Sequence, residues 1–283
     1  MKVTLAQLNP TVGDIQGNLA KVEQTLSLCR KDSPDLVIFP ELFLVGYPPR
    51  DLLERPSFIA MVQQAVEKLL EVSQQYDQSG IIIGAPQPSH QPSGKGLHNS
   101  ALLIYQGELL FSQAKSLLPT YDVFDEPRYF EPGTEDPLVR FKDNTLGISV
   151  CEDAWNDPAL WPRPSYSYDP IEVMAKNGAD LIINIAASPF HRGKERLRYN
   201  IVQSHASKHQ IPFLFVNQVG ANDELIFDGR SIGADGDGNP IVVFPSFQEH
   251  VQTISIDQAG VPSSYQPQEE IESVYQALVL GVR

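Results

Sequence analysis

Short, almost unbroken apolar runs recur along this chain, and most are separated by segments whose apolar residues repeat at helical spacing. Residues 3–8, 35–39, 80–84, 145–151, 179–185 and 211–217 are too short for helices and are bounded by turn-forming residues, so they read as strands. Between them, residues 14–30 place Leu19, Val22, Leu26 and Cys29 on one helical face, and residues 56–76 do the same with Ile59, Val62, Val66, Leu69 and Leu70. Residues 170–177 and 193–209 continue the rhythm as helices in the second half. Residues 99–105 and 109–112 read as a hairpin through Gln106-Gly107, residues 229–234 and 240–244 as a second hairpin, and 251–256 as a last strand. Strands that are apolar on both faces need cover on both, and strands joined through helices pair in parallel. The pattern predicts a layered α/β fold made of two βαβ-rich halves.

Composition narrows the function. Two cysteines in 283 residues exclude a disulfide scaffold and point to a reducing, cytoplasmic setting. The formal charge of −14 repels phosphate backbones and anionic lipid, which argues against nucleic-acid and membrane partners. Residues 1–8 alternate like a strand and lack the apolar core of a signal peptide.

The two cysteines differ in setting. Cys29 lies on an apolar helical face and reads as a small core residue. Cys151 ends an apolar strand and is followed directly by Glu152 and Asp153, a strand-end position where α/β proteins gather their ligands. Glu41 and Lys115 also follow strand-like segments, so a layered fold can bring all three to one rim. Their chemistry is complementary. A thiol needs a base to take its proton, which Glu41 can be, and the oxyanion formed on an amide needs a donor, which Lys115 and the backbone N–H of Glu152 can supply. By spacing alone the signal is weak and the bland alternative is favoured: Glu41 and Lys115 as solvated loop charges, Cys151 as a buried residue.

Phe39-Pro-Glu-Leu42, Lys115-Ser-Leu-Leu-Pro119 and Val150-Cys-Glu-Asp153 resemble, in order, the three signature blocks of the nitrilase superfamily, carbon–nitrogen hydrolases with a Glu-Lys-Cys triad. Four further runs, 41–52, 121–130, 151–155 and 187–194, are similar to the glutaminase domains of the glutamine-dependent NAD synthetases. The resemblance implies a four-layer αββα sandwich and hydrolysis of L-glutamine through a γ-glutamyl thioester, with Glu41 as base, Lys115 as oxyanion partner and Cys151 as nucleophile. It implies a second glutamate, Glu126, beside the triad. It also implies Tyr121 and Phe130 as pocket walls, Glu152 toward the substrate ammonium, and Ser188 and Lys194 toward its carboxylate. Without the resemblance Lys194 reads as an exposed helix start. No metal or organic cofactor is expected for this reaction.

After residue 256 the composition becomes linker-like, and residues 269–283 carry Ile271, Val274, Leu278 and Val282 at helical spacing. The expected division is a glutaminase domain over 1–257 and, over 258–283, a linker with the first helix of a C-terminal NAD synthetase domain, to which ATP and Mg would belong. A homo-oligomer is a further implication of the resemblance. Two rival functions remain open: a stand-alone amidase, nitrilase or carbamoylase, and a catalytically silent docking or assembly module. Asp235-Gly-Asp-Gly-Asn-Pro240 begins like a calcium loop but has proline where the turn glycine belongs, so it reads as a hairpin turn. His205 and His209 have metal-ligand spacing without the accompanying glutamate and read as a surface pair.

Overall fold

A computed structural model describes residues 1–89, 94–158, 160, 161, 163, 165–256 and 264–282. The first half runs β1 (Lys2–Gln7), α1 (Ile15–Cys29), β2 (Leu36–Ile38), α2 (Pro56–Ser73), β3 (Gly80–Pro88), β4 (Leu97–Tyr105) and β5 (Glu108–Ala114). The second runs β6 (Val139–Phe141), β7 (Asn144–Val150), α3 (Pro170–Lys176), β8 (Leu181–Ala186), α4 (Lys194–His209) and β9 (Phe213–Asn217). It continues through β10 (Val219–Asn222), β11 (Leu225–Asp228), β12 (Ile232–Ala234), β13 (Pro240–Val243), β14 (His250–Ser255) and α5 (Glu270–Val282).

Two six-stranded sheets result, ordered β14-β1-β2-β3-β4-β5 and β13-β12-β9-β8-β7-β6. Each has a parallel heart, β1-β2-β3 in one and β7-β8-β9 in the other, with antiparallel strands on both sides. The period of two sorts the side chains of the first sheet. Val3, Leu5, Leu36, Ile38, Ile82 and Leu103 join the core shared with Ile148, Ile183 and Phe215 of the second sheet. Val37, Ile81, Ile83, Leu102 and Ile104 face the other way, onto Val22, Leu26, Val62 and Leu69 of α1 and α2. Helices α3 and α4 cover the far side of the second sheet through Ile171, Ile201, Val202 and Ala206. The layering is therefore α, β, β, α.

Cys29 is buried on the core face of α1, as its spacing predicts. Asp235 closes the turn between β12 and β13 by accepting the N–H groups of Asp237 and Asn239 at 3.0 and 2.8 Å. Strands β6, β10 and β11 were not expected. The first is three residues long, and β10 carries Gly220 and Asn222 where a strand pattern needs β-branched or aromatic residues, with β11 only four residues long. The reading of His205 as a surface residue is corrected: it is fully buried on α4 and donates from Nε2 to the Ala154 carbonyl at 2.8 Å. Helix α5 packs against β10 and β11. Part of the expected linker, residues 257–263, lies outside the described residues, as do residues 90–93 of the loop after β3.

One close backbone approach fixes the first half of the site. Gly84 donates to the Pro40 carbonyl at 3.1 Å and accepts from Leu44 at 3.2 Å, so the turn carrying Glu41 lies flat on β3. A Cβ at Gly84 would stand 2.1 Å from the Leu42 nitrogen and 2.7 Å from the Glu41 Cα. Gly84→Ala is expected to lower stability by about 1–3 kcal/mol in urea denaturation and to displace Glu41. An unchanged midpoint would show that the turn has room to move.

Candidate active site

The site lies where the strand ends of the two sheets meet. Strand β7 ends at Val150, and Cys151 then turns into the left-handed region at φ 44° before a single 3-10 turn, Cys151–Ala154. Few non-glycine residues adopt that conformation, and it costs about 1–3 kcal/mol where it is held. The neighbouring β8 helps hold it: Asn184 Nδ2 donates to Ser149 Oγ at 2.9 Å and to the Cys151 carbonyl at 3.4 Å. Glu41 sits on a comparable strand-end turn after β2, next to Leu42 at φ 46°.

Lys115 follows β5 and is 1% exposed. Its Nζ donates to Glu41 Oε1 at 2.8 Å and to Glu126 Oε1 at 2.7 Å. Glu41, 0% exposed, also accepts from Asn99 Nδ2 at 2.7 Å and from the Ala187 N–H at 2.8 Å. Glu126 accepts from the Tyr47 hydroxyl at 2.9 Å. Burial alone would strip the Lys115 proton, but the Glu126 and Glu41 carboxylates outweigh it and hold its pKa well above the ordinary value. Burial, opposed by Lys115 and aided by the Glu41 charge, raises Glu126. The Cys151 thiol is pushed well up by burial and by Glu41, with Lys115 pulling the other way.

A second group of side chains surrounds the Cys151 turn. Glu152 is buried, and its oxygens accept from the Tyr121 hydroxyl at 2.9 and 2.8 Å and from the Tyr166 hydroxyl at 3.1 Å. Burial raises its pKa and the Tyr121 hydroxyl partly restores it. Lys194, at the start of α4, holds Nζ 5.1 Å from the Trp155 ring centroid and 5.8 Å from that of Phe124. Among the described residues it pairs with no carboxylate. Burial lowers its pKa, and Arg198 one turn on lowers it further. Ser188, buried at the end of β8, is fixed through its backbone: its N–H donates to Asn217 Oδ1 at 2.8 Å, and its carbonyl accepts from Arg198 Nη1 at 3.1 Å. Among the described residues its own hydroxyl has no partner.

The structure thus joins Glu41, Lys115 and Glu126 by direct hydrogen bonds and sets their charges on the Cys151 thiol. Glu152 and Lys194 flank the same turn. Phe130 is buried and lines a cavity of about 380 Å³ together with Tyr47 and Glu126. The sequence reasoning did not single out Tyr47, Asn99, Phe124, Trp155, Tyr166 or Arg198. Trp155 carried a signal, since an aromatic within a few residues of a strand-end cysteine is a candidate for its pocket.

A profile of the carbon-nitrogen hydrolase family matches residues 2–265. The glutamine-dependent NAD(+) synthetase of Synechocystis is 39% identical over 288 residues, covering 99% of this chain and 51% of the relative. The structure of a glutamine-dependent NAD+ synthetase from Acinetobacter baumannii superposes with a TM-score of 0.86 at 30% identity, over 99% of this chain and 50% of that one. An amidase of the nitrilase superfamily from Nesterenkonia shares the fold, with a TM-score of 0.76 at 22% identity over 90% of this chain and 89% of that one. The chain spans about half the length of the NAD synthetases it matches.

With a raised thiol pKa, the thiolate fraction rises about tenfold with each unit of increasing pH until that pKa is reached. Alkylation of Cys151 by iodoacetamide, followed by intact mass in a Cys29→Ala background, is expected to keep climbing with no plateau below the ordinary thiol value of 9.0. A plateau near neutrality would mean a preformed thiolate.

Proposed function

Because the chain belongs to the carbon-nitrogen hydrolase family, we propose that it is a thiol amidohydrolase that releases ammonia from L-glutamine. Cys151 Sγ attacks the side-chain amide carbon while its proton passes to Glu41. Two of the three Lys115 N–H bonds are engaged by Glu41 and Glu126, which leaves the third for the oxyanion. The tetrahedral intermediate collapses as Glu41 returns the proton to nitrogen, the C–N bond breaks, and ammonia departs from a γ-glutamyl thioester. Water then attacks the thioester carbon, Glu41 takes its proton, the C–S bond breaks, and glutamate leaves with the thiol restored. Every proton in this sequence passes through the chain's own side chains.

The observation that carries the choice of substrate is the pair Glu152 and Lys194. A buried carboxylate met by hydroxyl groups and a half-buried cation met by aromatic faces stand beside one proposed nucleophile, which matches the ammonium and carboxylate of a free amino acid. A simple aliphatic amide has no use for either. Ser188, with its unpartnered hydroxyl, is assigned to the carboxylate beside Lys194, and Tyr121 and Phe130 to enclosing the substrate. In the relatives, the name joins glutamine use to NAD(+) synthesis. The ammonia is therefore assigned to a synthetase portion corresponding to their other half, and ATP and Mg to that portion. Helix α5 exposes Ile271, Tyr275, Leu278 and Val282, an apolar stripe that supports its reading as the first helix of such a portion.

Ammonia release from glutamine, beside asparagine and a simple aliphatic amide, tests the proposal. Release from glutamine with a single γ-glutamyl adduct on intact mass is expected; Cys151→Ala should abolish both, and Cys29→Ala should leave the rate nearly unchanged. Equal loss in the two variants would sink the assignment of the nucleophile. Lys194→Met should raise KM for glutamine by about tenfold or more while sparing turnover of a simple amide.

A further inference from the structure

Asp153 is 0% exposed, two residues beyond Cys151 in the same 3-10 turn, and among the described residues its carboxylate meets no cation. It is filled instead by three backbone N–H groups. Oδ1 accepts from Ser116 at 3.0 Å and from Leu117 at 2.8 Å, the two residues after Lys115. Oδ2 accepts from Val150 at 2.9 Å, the residue before Cys151. One side chain thus ties the chain leaving β5 of the first sheet to the end of β7 in the second.

The tie extends an unbroken line of hydrogen bonds. Asn99 donates to Glu41 through its side chain and accepts from the Lys115 N–H through its carbonyl at 2.8 Å. The Lys115 carbonyl accepts from Gly133 at 2.7 Å, which leaves the Lys115 backbone paired on both sides. Base, ammonium and nucleophile are connected in sequence, and Asp153 is the last link. Three N–H donors on one carboxylate fix its plane and direction, so the distance between the Lys115 and Cys151 backbones is set by the length of an aspartate arm.

We infer that Asp153 is a positioning residue for the hydrolysis: it acts through Lys115 and Cys151, setting the sulfur against the ammonium that receives the oxyanion. The inference rests on the reading of Glu41, Lys115 and Cys151 as the reacting groups. Misplacement of reacting atoms by about 1 Å costs about 10²-fold in rate, whereas of the groups that hold glutamine Lys194 stands on α4, and Glu152, though in the clamped turn, has its carboxylate held separately by the Tyr121 and Tyr166 hydroxyls.

The test uses the full chain with Asp153→Asn and Asp153→Glu. The amide keeps an acceptor for Ser116 and Leu117 but turns N–H donors onto the Val150 N–H; the glutamate keeps the charge and lengthens the arm. For folded protein, counted by its cooperative melting transition, both variants are expected to lose about 10²-fold in kcat with KM for glutamine within about threefold of the parent. A kcat within about twofold of the parent, or a loss that merely tracks the folded fraction, overturns the clamp. Turnover that survives Cys151→Ala overturns the underlying reading instead, a separate result. Should neither variant fold, amide hydrogen exchange of the unaltered chain decides: core-like protection at Ser116, Leu117 and Val150 supports the clamp, and loop-like exchange overturns it.

Discussion

The whole arrangement depends on one ammonium group shut between two carboxylates. Removing an unpaired Lys115 from water would carry a large desolvation cost, and each glutamate would carry its own. The three are tolerable only together, and only with Tyr47, Asn99 and the Ala187 N–H occupying further positions around them. Those partners come from the loop after β2, from β4 and from the end of β8, so the cluster cannot assemble until both sheets are docked. Two carboxylates against one ammonium leave the cluster electron-rich. Burial, then the Glu41 charge, pushes the nearby thiol pKa well up, with Lys115 pulling the other way, and Glu41 is the base proposed to receive its proton.

Helix α4 carries the pocket in a different way. Its buried residues include Glu195, Arg198 and His205, beside a few aliphatic ones, and most of these polar side chains reach a segment that matters to the site. Arg198 is paired with Asp228 while it binds the Ser188 carbonyl; His205 supports the Cys151 turn from below; Lys194 faces the rings of Phe124 and Trp155. Glu195 turns the other way and accepts from the Tyr265 hydroxyl at 2.9 Å, docking the segment before α5. A single helix is thus a rigid frame for loops from three parts of the chain.

How much of this the sequence discloses follows from what periodicity can register. Long strands flanked by helices, such as β3, β7 and β8, are plain because burial on both faces writes an unbroken apolar run. The strand-end residues Glu41 and Cys151 were visible for the same reason, since each follows such a run, whereas Lys115 follows the largely exposed β5 and was visible only as the residue after a hairpin arm. β6 is too short to have a period, and β10, with Gly220 and Asn222, is held by its pairing with β11 more than by β-forming side chains of its own. Arg198 and His205 look like surface residues because a hydrophobic pattern has no symbol for a polar side chain whose partner is a distant backbone carbonyl. Tyr47 sits in a Gly-Tyr-Pro-Pro run that signals only a turn, and Asn99 reads simply as the first residue of a strand.

The left-handed turn at Cys151 bears on how such a molecule ages under mutation. A conformation that disfavours any side chain is held at the residue proposed as the nucleophile. Replacement by glycine would relieve the backbone and, on the proposed mechanism, abolish the nucleophile, so the path toward a more relaxed protein runs through an inert one. Selection for folding alone would drift that way, and on that reading a cysteine at this turn marks selection for activity against it.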